Sequence, residues 1–341
     1  MSEPHPTGSQ ELLRLLTMGG PWVFQSVRVA TELQLADHLG AEPLTAAELA
    51  VETGAHPDAL HRFCRTLAAL GVLAEHPGPA FTLTPAGEAL QLDDIRGVVQ
   101  LWGGDAFRAW ADVLHTVRTG EPALRHQTGL SYAEYLAAHP EQNAAFLDTL
   151  ATGMLPPAAV EWFDFSRSRL VVDVGGRSGI HVAAALQANP AARGVLLDRP
   201  AGLRQAPGLL AALGVADRCE IVEGSYFDGV PTGGDTYLLG RVLCDWDDPD
   251  ALRVLDAVRK AMEPDGRLLV LDPVLPAAGP GRLPGLFADL HMLVVTGGRS
   301  RAEDELVELL ARGGFEVSRS LRPGGEDSAE PPNVIEAVQA A

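Results

Sequence analysis

Leu170-Val171-Val172-Asp173-Val174-Gly175-Gly176-Arg177-Ser178-Gly179 is the stretch from which the rest of the chain can be read. Its apolar first half is a short strand with β-branched residues that suit a buried sheet. The glycines that follow open a helix. They let a ligand approach the backbone closely, and the helix N-terminus offers N–H groups without intrahelical partners. Strand, glycine loop and helix together predict a site for a nucleotide-like cofactor. A dinucleotide-binding unit has the same order, with an acid about 20 residues further on that bonds a ribose. Asp198, closing the strand Val195-Leu196-Leu197-Asp198, would serve a ribose in either kind of site.

Further strands are expected at Glu220–Glu223, Tyr237–Leu243, Arg267–Asp272, Phe315–Ser318 and Asn333–Val338. Alternating with helical segments, they predict an α/β fold with a parallel sheet covered on both faces. Arg322–Pro332 is polar, with Gly and Pro, and reads as a loop. Upstream, Leu12–Leu39 carries helical apolar spacing broken at Gly19-Gly20-Pro21, and Thr45 with Glu48 forms a capping-box pattern for a helix ending near Gly54. Pro57–Leu70 reads as a helix, followed by short strands at Gly71-Val72-Leu73 and Phe81-Thr82-Leu83 around Pro77-Gly78-Pro79. Helix, helix and wing make an N-terminal, mostly helical winged-helix domain. A helical region from Val98 to Phe163 carries Trp102, Trp110, Tyr132, Tyr135 and Phe146, which either fill its core or line a pocket for a flat substrate. The expected domains are 1–97, 98–165 and 166–341.

Charge narrows the function. The 341 residues carry a formal net charge of -19, which repels phosphate backbones and anionic lipid surfaces. Within the winged helix, Glu42, Glu48, Glu52, Asp58, Glu75 and Glu88 face only Arg62 and Arg65, so no nucleic-acid partner is expected. No apolar run reaches the roughly 18 residues of a membrane helix, and the polar N-terminus lacks a signal pattern, so the expected location is cytoplasmic. Cys64, Cys219 and Cys244 are few and far apart, as reduced thiols would be. The helices around Val23, Val27 and Leu35 look more apolar than a small acidic domain needs, which predicts a homodimer interface.

Two features separate the site from a dehydrogenase. Asp173 lies inside the first strand, two residues before Gly175, and Arg241-Val242-Leu243-Cys244-Asp245-Trp246-Asp247-Asp248 fits no dehydrogenase pattern. With the winged helix in front, and Gly297-Gly298-Arg299-Ser300-Arg301 ahead of a helix ending near Gly314-Phe315, the chain resembles the small-molecule O-methyltransferases that tailor natural products. The resemblance runs along nearly the whole chain. It implies a class I methyltransferase Rossmann-like sheet, S-adenosyl-L-methionine as cofactor, a homodimer, and a small aromatic substrate. It further implies that Asp173, Gly175, Gly176 and Gly179 hold the methionine end of the cofactor and Asp198 the ribose. Ser225, Tyr226 and Phe227 would flank the adenine, with Arg241 near the cofactor. Arg177 replaces a family glycine, and its side chain would either clash with the methionine portion or pair with it. Family members commonly carry Asp at the position of Ser225.

The resemblance also locates the chemistry, and there the chain departs from its pattern. Cys244 stands where the family carries a catalytic His. A general base works best with a pKa near the operating pH, which suits imidazole at about 6.5 better than a thiol at about 8.5. Asp245, Asp247 and Asp248 nearby would raise the thiol further. Of the two acids that orient the family's His, Asp272 matches one and Ser300 replaces the other. His291 is a candidate replacement base, with a hydrogen-bonded core histidine as the plainer reading. Asp245 and Met292 fall at substrate-binding positions. Cys244, His291 and Asp245 lie on separate segments with undiagnostic spacing, so no metal is expected. The expected reaction is methyl transfer to a hydroxyl of a small aromatic substrate, carried largely by proximity. The alternative is an enzyme that has lost methyl transfer and performs hydroxylation, decarboxylation or cyclisation with the cofactor bound. A non-enzymatic, DNA-binding regulator is disfavoured by charge.

Overall fold

The N-terminal helices form where their caps dictate. The Glu48 N–H donates to the Thr45 hydroxyl at 3.3 Å and the Glu48 carboxylate accepts the Thr45 N–H at 2.7 Å, which is the expected capping box. In this computed structural model, which describes residues 20–40, 42–139, 163–279, 281–322 and 334–340, the elements of this part follow in order. They are α1 (Gly20–Glu32), α2 (Leu35–His38), β1 (Leu44–Thr45), α3 (Ala46–Thr53), α4 (Pro57–Ala69), β2 (Leu73–His76), β3 (Ala80–Leu83), α5 (Pro85–Glu88) and α6 (Asp93–Gly103). The wing is a three-stranded sheet in the order β1-β3-β2, and β1, two residues long, is too short to leave a periodic signal. Expectations for Leu12–Gly19, Phe146 and the loop over 323–332 lie outside the described residues.

One expectation is corrected here. Val27 and Leu35 are no spare apolar surface: they are 0% and 1% exposed, in a core with Leu49, Leu60, Cys64, Leu67 and Phe81. The apolar excess is consumed by the domain's own packing. The outward-facing apolar residue of α1 is Trp22, 84% exposed.

The chain divides into two compact units, with the boundary inside α7 (Asp105–Trp110). The second unit contains 109–139, as α8 (Val113–Thr119), α9 (Ala123–Thr128) and α10 (Tyr132–Ala138), together with the sheet region. That region runs β4 (Leu170–Val174), α11 (Ile180–Ala188), β5 (Arg193–Asp198), α12 (Ala206–Ala212), β6 (Cys219–Glu223), β7 (Thr236–Gly240), α13 (Asp248–Ala261), β8 (Arg267–Leu271), β9 (Val274–Leu275), α14 (Arg282–Val295), β10 (Arg301–Ala302), α15 (Glu303–Arg312), β11 (Phe315–Leu321) and β12 (Val334–Gln339).

The seven-stranded sheet has the order β11-β12-β8-β7-β4-β5-β6. Alternate residues go to opposite faces. Val172, Val174, Leu239 and Val270 pack against α13 and α15, whereas Val171, Leu238 and Leu269 pack against α11 and α12. Burial on both faces explains why these strands read as continuous apolar runs. The all-parallel expectation is corrected at one edge, because β12 pairs antiparallel with both β8 and β11. A parallel neighbour needs a crossover, usually helical, and the polar 322–332 segment has no helical period. β7 also stops at Gly240, short of the expected Leu243. Arg241 takes a left-handed φ of 55°, and Leu243–Asp245 form a 3-10 turn. Among the described residues, no helix is long and apolar enough to cross a membrane.

Candidate active site

The carboxyl ends of β5, β4, β7 and β8 lie side by side, and the strand order reverses at β4, the position where open α/β sheets bind ligands. Asp173, near the end of β4, is fully buried. One carboxylate oxygen accepts the Val182 N–H at 3.1 Å, and the other is buried with no partner. Burial raises this carboxyl to about 7, and the charge of Asp198 adds to the effect. Gly176 is required beside it, since a Cβ there would meet the Asp173 carboxyl at 2.3–2.6 Å. Gly175, at φ 72°, is equally confined: a Cβ would lie 2.9 Å from Val242 and 3.3 Å from the Tyr226 ring. A bare backbone around an unfilled carboxylate oxygen fits a cationic ligand group such as an ammonium.

Asp198 ends β5. Its oxygens accept the Arg177 N–H at 2.9 Å and the Arg199 N–H at 2.6 Å. Each retains a lone pair for a further donor. A Cβ on Gly202 would come within 2.9 Å of this carboxyl. The Ser225 hydroxyl accepts the Phe227 N–H at 3.3 Å. Trp246 donates to the Tyr226 hydroxyl at 3.0 Å and meets the Phe227 ring edge-on at 4.8 Å, with the Arg253 guanidinium 4.5 Å from the centre of Phe227. Tyr226 and Phe227 are thus set by Trp246, whose positioning role the sequence did not reveal.

Arg177 adopts a left-handed φ of 51° and reaches Asp245 at 3.1 Å. Its side chain therefore ties the glycine loop to the turn carrying Cys244. Cys244 is 3% exposed, and its carbonyl accepts the Arg299 N–H at 2.9 Å. Burial, then the carboxyls of Asp272 and Asp245, push its thiol well above the ordinary range. The sequence expectation that Asp247 and Asp248 contribute is corrected. Asp247 caps α13 by accepting the Asp250 N–H at 3.0 Å, and Asp248 pairs with Arg301 at 2.9 Å and Arg312 at 2.8 Å. Arg301, buried, also donates to the carbonyls of Leu243 at 2.9 Å and Trp246 at 3.1 Å, and so fixes the turn from below.

Asp272 accepts the Val242 N–H at 3.1 Å, and burial followed by the charge of Asp245 raises it to about 7. The parallel pair β9–β10 brings Ser300 back towards this strand end, where its N–H donates to Asp289 at 2.8 Å. His291, on α14, accepts the Trp110 indole N–H at Nδ1, 3.0 Å away. The neutral ring then carries its own proton on Nε2. Burial lowers its pKa to about 4. The geometry gives His291 the character of a hydrogen-bonded, neutral histidine. Met292, beside it, is half-buried.

Two further residues belong here: Tyr132, one of the aromatics expected to fill the core or line a pocket, and His181, which the sequence did not single out. Tyr132 has its phenol raised by burial and by Asp245. His181 lies against Gly240, and burial followed by the charges of Arg177 and Arg241 lowers it to about 4. Neither carries a local motif, because each acquires its neighbours only through the fold.

Residues 110–316 match the O-methyltransferase domain, and residues 6–92 match the O-methyltransferase dimerisation domain. The chain belongs to the O-methyltransferase family. It is 41% identical to the phenazine O-methyltransferase PhzM of Lysobacter antibioticus, over 92% of each chain. The mitomycin 7-O-methyltransferase MmcR superimposes with a TM-score of 0.88 at 35% identity, covering 95% of this chain and 96% of that one. NcsB1, an O-methyltransferase of neocarzinostatin biosynthesis solved with S-adenosylmethionine and 2-hydroxy-5-methyl naphthoic acid, superimposes at 0.79 with 32% identity, covering 93% of this chain and 95% of that one. This O-methyltransferase-family enzyme is S-adenosylmethionine-dependent. The alternative of a scaffold that has lost methyl transfer finds no support in these relatives, which are named for it.

Proposed function

We propose that the enzyme methylates a hydroxyl of a small aromatic natural product that brings its own acidity, and that it uses no protein base. The observation that carries this reading is the burial of Cys244, whose thiol is pushed well above its ordinary range by desolvation and then by the carboxyls of Asp272 and Asp245, at the position where the resemblance places the family's base. When bound, S-adenosylmethionine supplies an electrophilic methyl group on a sulfonium. Asp173 would accept a hydrogen bond from its ammonium group, Gly175, Gly176 and Gly179 would leave room for its methionine end, and Asp198 would hold the ribose. Ser225, Tyr226 and Phe227 would bound the adenine, and Arg241 adds positive charge nearby. Asp272 anchors the Val242–Cys244 backbone, and the Arg177–Asp245 pair links loop and turn. With Ser300 in place of a second acid, these residues exclude water and hold the acceptor, Asp245 and Met292 contacting it. Proximity of this kind can supply roughly 7–11 kcal/mol of a barrier.

A series of phenols of graded acidity tests the reading. The apparent pKa of the pH–rate profile for kcat/KM should follow the phenol's own pKa from substrate to substrate. A profile fixed at one pKa, whatever the phenol, would show that a protein base operates. We also propose a homodimer built through the N-terminal domain, supported by the match of residues 6–92 to the O-methyltransferase dimerisation domain. A single-chain mass in light scattering at micromolar concentration would overturn it.

A further inference from the structure

Outside the methyl-transfer site, α8 and α9 bring together a second set of donor atoms. His115 is the third residue of α8, Glu121 follows its left-handed cap Gly120, and His126 lies on α9. The tight turn folds the two short helices back so that the imidazoles of His115 and His126 stack, 3.7 Å between centroids and 13° from parallel. Nε2 of His115 is 3.0 Å from the Glu121 carboxylate, and Nε2 of His126 is 3.7 Å from that of Asp112. One ligand atom from each of His115, Glu121 and His126 falls within a 4.8 Å span. The turn itself is braced: the Thr119 hydroxyl accepts the Glu121 N–H at 3.1 Å and donates to the His115 carbonyl at 2.9 Å.

We infer that His115, His126 and Glu121 form a binding site for a divalent transition cation of the zinc type, with Asp112 beside His126. Two imidazoles and a carboxylate are a donor set that zinc takes at about 2.0–2.2 Å, remaining positions going to water. Imidazole selects such borderline ions over magnesium or calcium, which prefer oxygen ligands throughout. All three donors come from one stretch of 12 residues, 115–126, so the ion closes only a short loop. An ion bound through both Nε2 atoms lies in the plane of each ring. Binding therefore turns the rings out of their parallel stack and exchanges ring contact for coordination. The ion would clamp the α8–α9 turn, whose Pro122 lies so close to Gly297, just past α14, that a Cβ on that glycine would touch it at 3.0 Å. Its donors are distinct from Cys244, His291 and Asp245, whose spacing in the sequence pointed to no metal.

The test is calorimetric titration of zinc chloride into the full chain, prepared without a histidine tag and stripped with a chelator. One equivalent per chain is expected to bind. His115→Ala combined with His126→Ala should weaken this binding at least about 100-fold, and Glu121→Gln about tenfold. His126→Gln alone, at the more exposed ring, provides a milder variant with the same expected direction. Circular dichroism of the metal-free variants reports that the fold is intact. Absence of zinc binding by the parent would overturn the inference, and so would parent-like binding by the folded double or single histidine variant.

Discussion

The two halves of the active site are made of the same material and are put to opposite uses. At the ends of β4 and β5, Asp173 and Asp198 are surrounded by glycines, and Asp173 keeps one oxygen unfilled. Beyond β7 and β8, Asp245 is paired with Arg177 and Asp272 accepts the Val242 N–H, and both carboxyls push the buried Cys244 thiol up. Buried carboxylates favour an approaching cation and oppose a developing anion. The first half is therefore suited to a cationic cofactor, whereas the second makes it harder for Cys244 to become a thiolate. Such an enzyme can keep its cofactor apparatus while transferring the burden of deprotonation to the substrate.

The largest effect that sharpens this contrast is expected from Gly176→Ala. Its Cβ would overlap the Asp173 carboxyl, which cannot move away without leaving Val182. Calorimetry should show cofactor affinity reduced about 100-fold or more, on the order of 3 kcal/mol. Near-parental affinity would break the assignment of this loop. A smaller effect is expected from pH. In the free protein Asp173 has its pKa raised from 3.8 to about 7 by burial. Its contribution to the stability of the free protein is thus complete below 3.8 and lost as pH rises through about 7. A cationic ligand favours the ionised form, so cofactor affinity should fall as pH drops below about 7, by up to about tenfold per unit. Asp173→Asn should flatten that profile, and an unchanged slope would remove Asp173 from the ligand contact. The smallest effect belongs to the other half. Cys244→Ala should lower kcat less than about tenfold, under ~1.4 kcal/mol of barrier. A thousandfold loss at unchanged cofactor affinity would make Cys244 the base and erase the contrast.

The strands were legible because burial on both faces leaves continuous apolar runs, and α3 was legible because Thr45 and Glu48 are a local cap. What escaped depended on distant partners. The Arg177–Asp245 pair joins residues 68 positions apart, and the Trp110–His291 hydrogen bond spans 181. Asp248 looked like a neighbour of Cys244 in sequence, yet Arg301 and Arg312 draw its carboxylate the other way. Val27 and Leu35 showed the opposite failure: their apolar character was visible, but which surface would use it was decided by packing. The His115–Glu121–His126 cluster is local, but its spacing carries no recognisable motif until Gly120 turns the chain.

The reversed strand has a consequence for how this sheet is made. β12 lies between β8 and β11, so until Val334–Gln339 has been made β8 lacks its outer neighbour and β11 has no neighbour in the sheet. Until then, β8 presents a row of unpaired N–H and C=O groups, the kind of edge that templates aggregation. The five strands β8-β7-β4-β5-β6 and their hydrophobic layers can gather earlier, and only the edge made by β12 and β11 is added late. During synthesis, the nascent chain thus exposes a strand edge that is covered in the finished sheet.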